Sequence, residues 1–395
     1  MFAIKGIQLL ITTGLSVAAL SSGNAQAFTF TEIANTNTSD FTDFQATAIN
    51  DLGEVAFTAE AAGQLGIFQG DGGAITPLFP SSLGLNTVEG IDFNSAGVVA
   101  FTENSTPGVF TSDGTVSTLI INPDTALGQI GFLPDAFSAP DINESGAIAV
   151  VANNFGSGEQ ALYLTEAGVG STIAEAPEFD IFRFSLNNNN EVTFFAISGA
   201  APDGDAIFLS EDGGAPTPLP DPLGFGTIEG PTLNDGGTVA YDTLFVNDEG
   251  AAVQGIFIQN GEEVTLIADN TGDFNSLDRP AINNAGELVF LAQLETGESG
   301  LFSGSDPVGD RIIATGDDLF GATVTGLDFT QQTGLNNSGQ LTFNASFADG
   351  SIGVYRADPE EGNPQPVPEP TAVLTTLVVG IVGLASQQRS RNPRA

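Results

Sequence analysis

Hydrophobic and polar positions alternate along this chain in short runs, and the runs are organised by a nine-residue phrase that occurs seven times. It reads INDLGEVAF at Ile49–Phe57, FNSAGVVAF at Phe93–Phe101, INESGAIAV at Ile142–Val150 and LNNNNEVTF at Leu186–Phe194. It returns as LNDGGTVAY at Leu233–Tyr241, INNAGELVF at Ile282–Phe290 and LNNSGQLTF at Leu335–Phe343. In each copy Asn follows an apolar residue, and three positions later stands Gly, replaced once by Asn190. Gly and, next best, Asn accept positive φ at low cost, so this position predicts a left-handed turn residue. The alternating β-branched or apolar residues after it predict an outgoing strand. Each phrase therefore predicts a β-hairpin that turns at Asn-x-x-Gly.

The Asn residues stand at 50, 94, 143, 187, 234, 283 and 336, so the spacings are 44, 49, 44, 47, 49 and 53 residues. A period in the forties holding several short strands is the pattern of propeller blades rather than of a β-solenoid. After each phrase comes a small-aliphatic-aromatic triplet, from Gly66-Ile67-Phe68 to Gly353-Val354-Tyr355, then a turn and a further apolar run such as Val264–Ala268. With the strand that enters the Asn turn, each unit predicts four strands. The seventh unit reaches its triplet but never writes the last strand, whereas Phe28–Ile33 supplies a surplus one before the first phrase. A ring closed by its N-terminal strand uses that offset and removes two exposed sheet edges. The expectation is an all-β, seven-bladed β-propeller over residues 28–357. The aromatic ending each phrase, Phe57, Phe101, Phe194, Tyr241, Phe290 and Phe343, with Val150 the exception, is expected to pack between blades.

Composition then limits the chemistry. Among 395 residues there is no His, Cys or Trp, which excludes Ser-His-Asp and Cys-His nucleophiles and zinc sites of the nitrogen or sulfur kind. Oxygen chemistry remains: carboxylates, hydroxyls, amides and hard cations such as calcium. All 49 acids lie between residues 28 and 369, opposed there only by Arg183, Arg279, Arg311 and Arg356, giving 4 − 49 = −45. Such a surface repels phosphate backbones, so no nucleic-acid partner is expected.

Both ends carry addresses. Residues 1–27 combine Lys5, an apolar run from Ile7 to Leu20 and Ala25-Gln26-Ala27, the three-part form of a secretory signal peptide. Residues 358–370 form a Pro-rich linker, followed at 371–395 by a 15-residue apolar run, Thr371–Ala385, and a basic tail. That run is short of the roughly 20 residues of a comfortable bilayer span. Val367-Pro368-Glu369-Pro370, a hydrophobic segment and terminal Arg389, Arg391 and Arg394 together resemble the PEP-CTERM sorting signal of exported bacterial proteins. The resemblance covers about the last 28 residues. It implies a hydrophobic sorting helix, transient membrane attachment, an exosortase-type sorting enzyme as partner, and delivery to the cell envelope, outer surface or extracellular matrix of an exopolysaccharide-making bacterium. The repeats resemble tandem Asn-x-x-Gly-x-x-Ala-Phe repeats of proteins with varied C-terminal anchors, which implies no activity.

Function is expected where equivalent positions differ. Five residues before each Asn stand Gln45, Glu89, Ser138, Phe182, Glu229, Asp278 and Gln331, and four before it stand Ala46, Gly90, Ala139, Arg183, Gly230, Arg279 and Gln332. If the strand entering the Asn turn is innermost, these positions open the central channel at the end opposite the Asn turns. Gln45, Glu89, Ser138, Arg183, Glu229, Asp278, Arg279 and Gln331 are the candidate ligand-binding residues. Planar acids, amides and guanidinium suit hydroxyl-rich ligands through paired hydrogen bonds. Asp203 and Asp205 are weak calcium candidates, since Asp203-Gly204-Asp205 lacks the twelve-residue loop ending in a bidentate Glu. The reading is an exported binding or structural module contacting extracellular polysaccharide or surface proteins. The alternative is a carboxylate-based glycan hydrolase or lyase, which needs only two suitably spaced acids.

Overall fold

Each hairpin phrase becomes the two inner strands of a blade. The computed structural model describes residues 27–360 apart from 80–84, 86, 104–107, 122–135, 155, 167–168, 200–204, 222–227 and 248–249, together with Ser16 and Val17. In blade two Val88–Phe93, Val99–Glu103, Gly108–Ser112 and Ser117–Ile121 pair antiparallel in that order, from the centre outward. Six further sheets repeat the plan, so the molecule is an all-β, seven-bladed propeller. The fifth blade carries one extra parallel pairing, of Ser16–Val17 with Glu263–Asp269. Apart from Ala27, the rest of the expected leader, and the linker, hydrophobic segment and sorting motif from residue 361 onward, lie outside the described residues.

The ring closes through its ends. Phe28–Asn35 pairs antiparallel with Ile352–Pro359, with Glu32 opposite Tyr355 and Ala34 opposite Val354, and becomes the outer strand of blade seven. The last strand runs two residues into the segment expected to be linker, because Thr29 and Phe28 pair with Asp358 and Pro359.

The turn position behaves as its composition demands. Gly53, Gly97, Gly146, Asn190, Gly237, Gly286 and Gly339 all have positive φ, between 61° and 85°. The phrase-end aromatics are fully buried, and each stands opposite its triplet aromatic on the next strand: Phe57 opposite Phe68, Tyr241 opposite Phe257, Phe343 opposite Tyr355. In blade three Val150 faces Tyr163 in the same register. Buried apolar side chains form seven clusters, and each spans one joint between neighbouring blades. The joint between blades seven and one joins Ile33, Ala34 and Val354 to Phe44, Ile49, Val55 and Phe57. A blade cannot bury both faces alone, so closure completes the core as well as the hydrogen bonding.

Candidate ligand-binding site

The inner strands run from a cavity at one end to the Asn turns at the other, and the Asn end is locked. Within each phrase the Asn Oδ1 accepts the amides two and four residues on; for Asn234 these are Gly236 and Thr238, both at 3.0 Å. Its Nδ2 donates to the backbone carbonyl of the Asn in the next blade. The chain of bonds runs from Asn50 to Asn94, Asn143, Asn187, Asn234, Asn283 and Asn336 and returns to Asn50, with every distance between 2.8 and 3.3 Å. The residues that follow form a second closed ring, in which each amide donates to the side chain of the equivalent residue in the next blade. It passes through Asp51, Ser95, Glu144, Asn188, Asp235, Asn284 and Asn337, at 2.7 to 3.2 Å. Asn therefore does more than turn the chain: one side chain caps its own hairpin and staples the neighbouring blade. The sequence signal was its presence in all seven copies, where an ordinary turn would also admit Asp or Ser.

Deeper in the channel, two buried carboxyls link three blades. Asp92 accepts the Ile142 amide at 2.7 Å and Asp141 accepts the Leu186 amide at 2.8 Å; in the next blade Ser185 takes the same part with the Leu233 amide. The Asp92 and Asp141 carboxyls also bond to one another, which requires a shared proton. Burial pushes Asp92 up, and burial with the adjoining Asp92 charge holds Asp141 well above the usual carboxylate range.

The channel is plugged. In blade seven the inner strand Ala322–Asp328 ends early, and the chain turns through Gln331–Thr333 before the Asn turn. Gln331 donates to the Gly230 carbonyl at 2.7 Å, Gln332 to the Phe184 carbonyl at 3.2 Å, and the Thr333 hydroxyl to the Thr47 carbonyl at 2.9 Å. These cross-channel bonds separate a cavity of about 130 Å³ under the Asn rings from one of about 450 Å³ at the opposite mouth.

The larger cavity gathers Gln45, Glu89, Ser138 and Arg183 on its wall, with Phe182, Asp328 and Gln332. Gln331 is not among its lining residues: it is 8% exposed and held by Gly230, because the premature turn moves the register by one and gives Gln332 the wall position. Asp278 and Arg279 also stand outside the lining, but Arg279 reaches a wall residue, donating to Asp328 at 2.5 Å and to the Phe329 carbonyl at 2.9 Å. Glu229 lies in strand Ile228–Leu233, opposite Asp242. Asp205 opens strand Asp205–Ser210, Asp203 lies outside the described residues, and among the described residues no three Asp or Glu side chains gather as a metal site.

At the mouth positions four of the inner strands leave their ladders. Register breaks fall between Val88 and Ile91, Ile181 and Arg183, Glu229 and Thr232, and Asp278 and Ala281. Bulges re-aim side chains, and they do so here with positive φ at Gly230 (56°) and Arg279 (55°), the latter a strained conformation for a residue with a Cβ. In blade four the break leaves both Phe182 and Arg183 exposed at the cavity.

Among solved structures, virginiamycin B lyase from Staphylococcus aureus is similar at 17% identity and a TM-score of 0.45, covering 83% of this chain and 99% of that one. YCF48 from Cyanidioschyzon merolae is similar at 12% identity and a TM-score of 0.46, covering 83% and 98%. Prolyl oligopeptidase B from Galerina marginata is similar at 10% identity and a TM-score of 0.48, covering 78% of this chain and 47% of that one. At these values nothing of their chemistry transfers to this chain. No curated protein matches the sequence. A family model described as a family of unknown function, DUF7453, matches residues 91–332, more than half of the chain, and the protein belongs to that family.

Proposed function

We propose that residues 28–360 form an exported, non-catalytic binding propeller that takes a glycan into the mouth cavity. The observation that carries this reading is the cavity's mixture of surfaces. Arg183, Glu89, Gln45 and Gln332 offer planar polar groups, and the half-exposed Phe182 ring offers an apolar face beside them. A sugar ring presents the same combination, hydroxyls at its edge and C–H groups on its face, and ligand sites are concave with few convergent polar groups. The plug gives the cavity a floor, and the Asn rings hold its walls without help from a ligand. The N-terminal leader and the PEP-CTERM-like tail support export and sorting by an exosortase-type enzyme to the envelope or matrix.

A glycan array probed with the 28–360 fragment tests the reading. Retention without release of reducing ends is expected, and Phe182→Ala should weaken it at least tenfold while circular dichroism stays unchanged. Turnover of a retained glycan would favour a carboxylate hydrolase instead. Absence of retention, or retention indifferent to Phe182, overturns the proposed site. For the tail, expression with and without Val367–Pro370 in a host that has exosortase should change the size or location of the product; identical behaviour would rule out sorting.

A further inference from the structure

Four arginines stand in the acidic stretch of the chain, and three are committed. Arg279 pairs with Asp328 at 2.5 Å and Asp278 at 3.5 Å, Arg311 with Asp317 at 2.5 Å, and Arg356 with Asp358 at 2.8 Å. Arg183 makes no ion pair or hydrogen bond with any described residue, although it is exposed in a stretch holding 49 acids. It stands at the register break of blade four and lines the cavity wall. Of the described acids in that wall, Asp328 is held by Arg279, Asp141 is buried and accepts the Leu186 amide, and Glu89 is the third. Within a stretch of net charge 4 − 49 = −45, this cavity keeps a guanidinium fork free.

We infer that the mouth selects an acidic sugar, a uronic acid or similarly carboxylated unit, whose carboxylate docks on Arg183 while its ring lies against Phe182 and its hydroxyls reach Gln45, Glu89 and Gln332. The inference rests on the reading of this cavity as a glycan site and adds the ligand's charge. A guanidinium meets a carboxylate through two parallel N–H···O bonds, a geometry that lysine's point charge cannot reproduce. A neutral sugar has no group that uses both prongs at full strength.

Calorimetric titration of the 28–360 fragment with a galacturonate oligomer and with its carboxyl-reduced, neutral counterpart separates the two layers. The acidic oligomer should bind at least tenfold tighter. Arg183→Gln should erase that difference, Arg183→Lys should restore only part of it, and Phe182→Ala should weaken both oligomers alike. Equal binding of the two, with Phe182→Ala still harmful, overturns the acidic selectivity and leaves the glycan site standing. Binding of neither oligomer, or binding untouched by any of the three variants, overturns both.

Discussion

Replacing Asn234 by Ala removes three hydrogen bonds at one stroke: those accepted from the Gly236 and Thr238 amides and the one donated to the Asn283 carbonyl, each 3.0 Å long. At about 1 kcal/mol net for each bond the loss is about 3 kcal/mol. It does not run higher, because Gly236 is exposed and its amide rehydrates, and because the Asn283 carbonyl keeps the 3.0 Å bond from the Gly286 amide. Asp235→Ala breaks bonds of the outer ring, where both partners are wet, and should cost under about 1 kcal/mol. Asn234→Asp sharpens the test. It keeps both accepted bonds but turns a donor into an acceptor that faces the Asn283 carbonyl. Its charged form is disfavoured in the folded state, so its carboxyl value rises above the unfolded one of about 3.9. Between those values the native state holds the extra proton, so this variant loses stability relative to wild type as pH rises from 4 to 7. Urea unfolding followed by far-ultraviolet circular dichroism reads all three, since the chain has no Trp to report by fluorescence. An Asn234→Ala variant within about 0.5 kcal/mol of wild type, or no worse than Asp235→Ala, would refute the stapling role.

The Asp92–Asp141 pair has folded values above the unfolded carboxylate, so native protein holds more protons in that window and stability falls as pH rises through it. Asp141→Asn keeps an acceptor for the Leu186 amide and offers an N–H to Asp92, so its melting temperature should fall less than wild type's between pH 4 and 8; parallel slopes would exclude the shared proton. At Asn190, with φ of 61°, Asn190→Ala should cost about 1 kcal/mol while Asn190→Gly stays closer to wild type, because Gly relieves the strain but loses the 2.8 Å bond from Asn143; denaturation midpoints check the order. Deleting Phe28–Asn35 should expose Phe343, Val354 and Tyr355 with an unpaired strand edge, and give aggregation detectable by light scattering; a monomeric, cooperatively folding product would contradict ring closure.

Much of this fold is written locally. The Gly-or-Asn position announces its positive φ, the triplets announce strands, and the missing last strand of the seventh unit announces the place of Phe28–Asn35. Each depends on neighbours in sequence or on counting repeats. The Asn ring was only half legible: the bonds from Asn234 to Gly236 and Thr238 are local, whereas the bond to Asn283 exists only after blades assemble side by side. The mouth was legible in blades one to four, where Gln45, Glu89, Ser138 and Arg183 meet at the cavity, whereas Asp278 and Arg279 of blade six stand outside its lining. It failed in blade seven, whose spacing of 53 residues is the longest and whose inner strand stops at Asp328, so that Gln331 becomes part of the plug. The Asp92–Asp141 pair carried no sequence signal, because the two residues stand 49 apart and in different blades.

The most direct measurement is a crystal structure of the 28–360 fragment bound to a galacturonate oligomer. Density should fill the mouth cavity of about 450 Å³, with a carboxylate on Arg183 and a sugar ring over Phe182. Sugar bound at the Asn face or on the outer blade edges, with that cavity empty, would contradict the assignment.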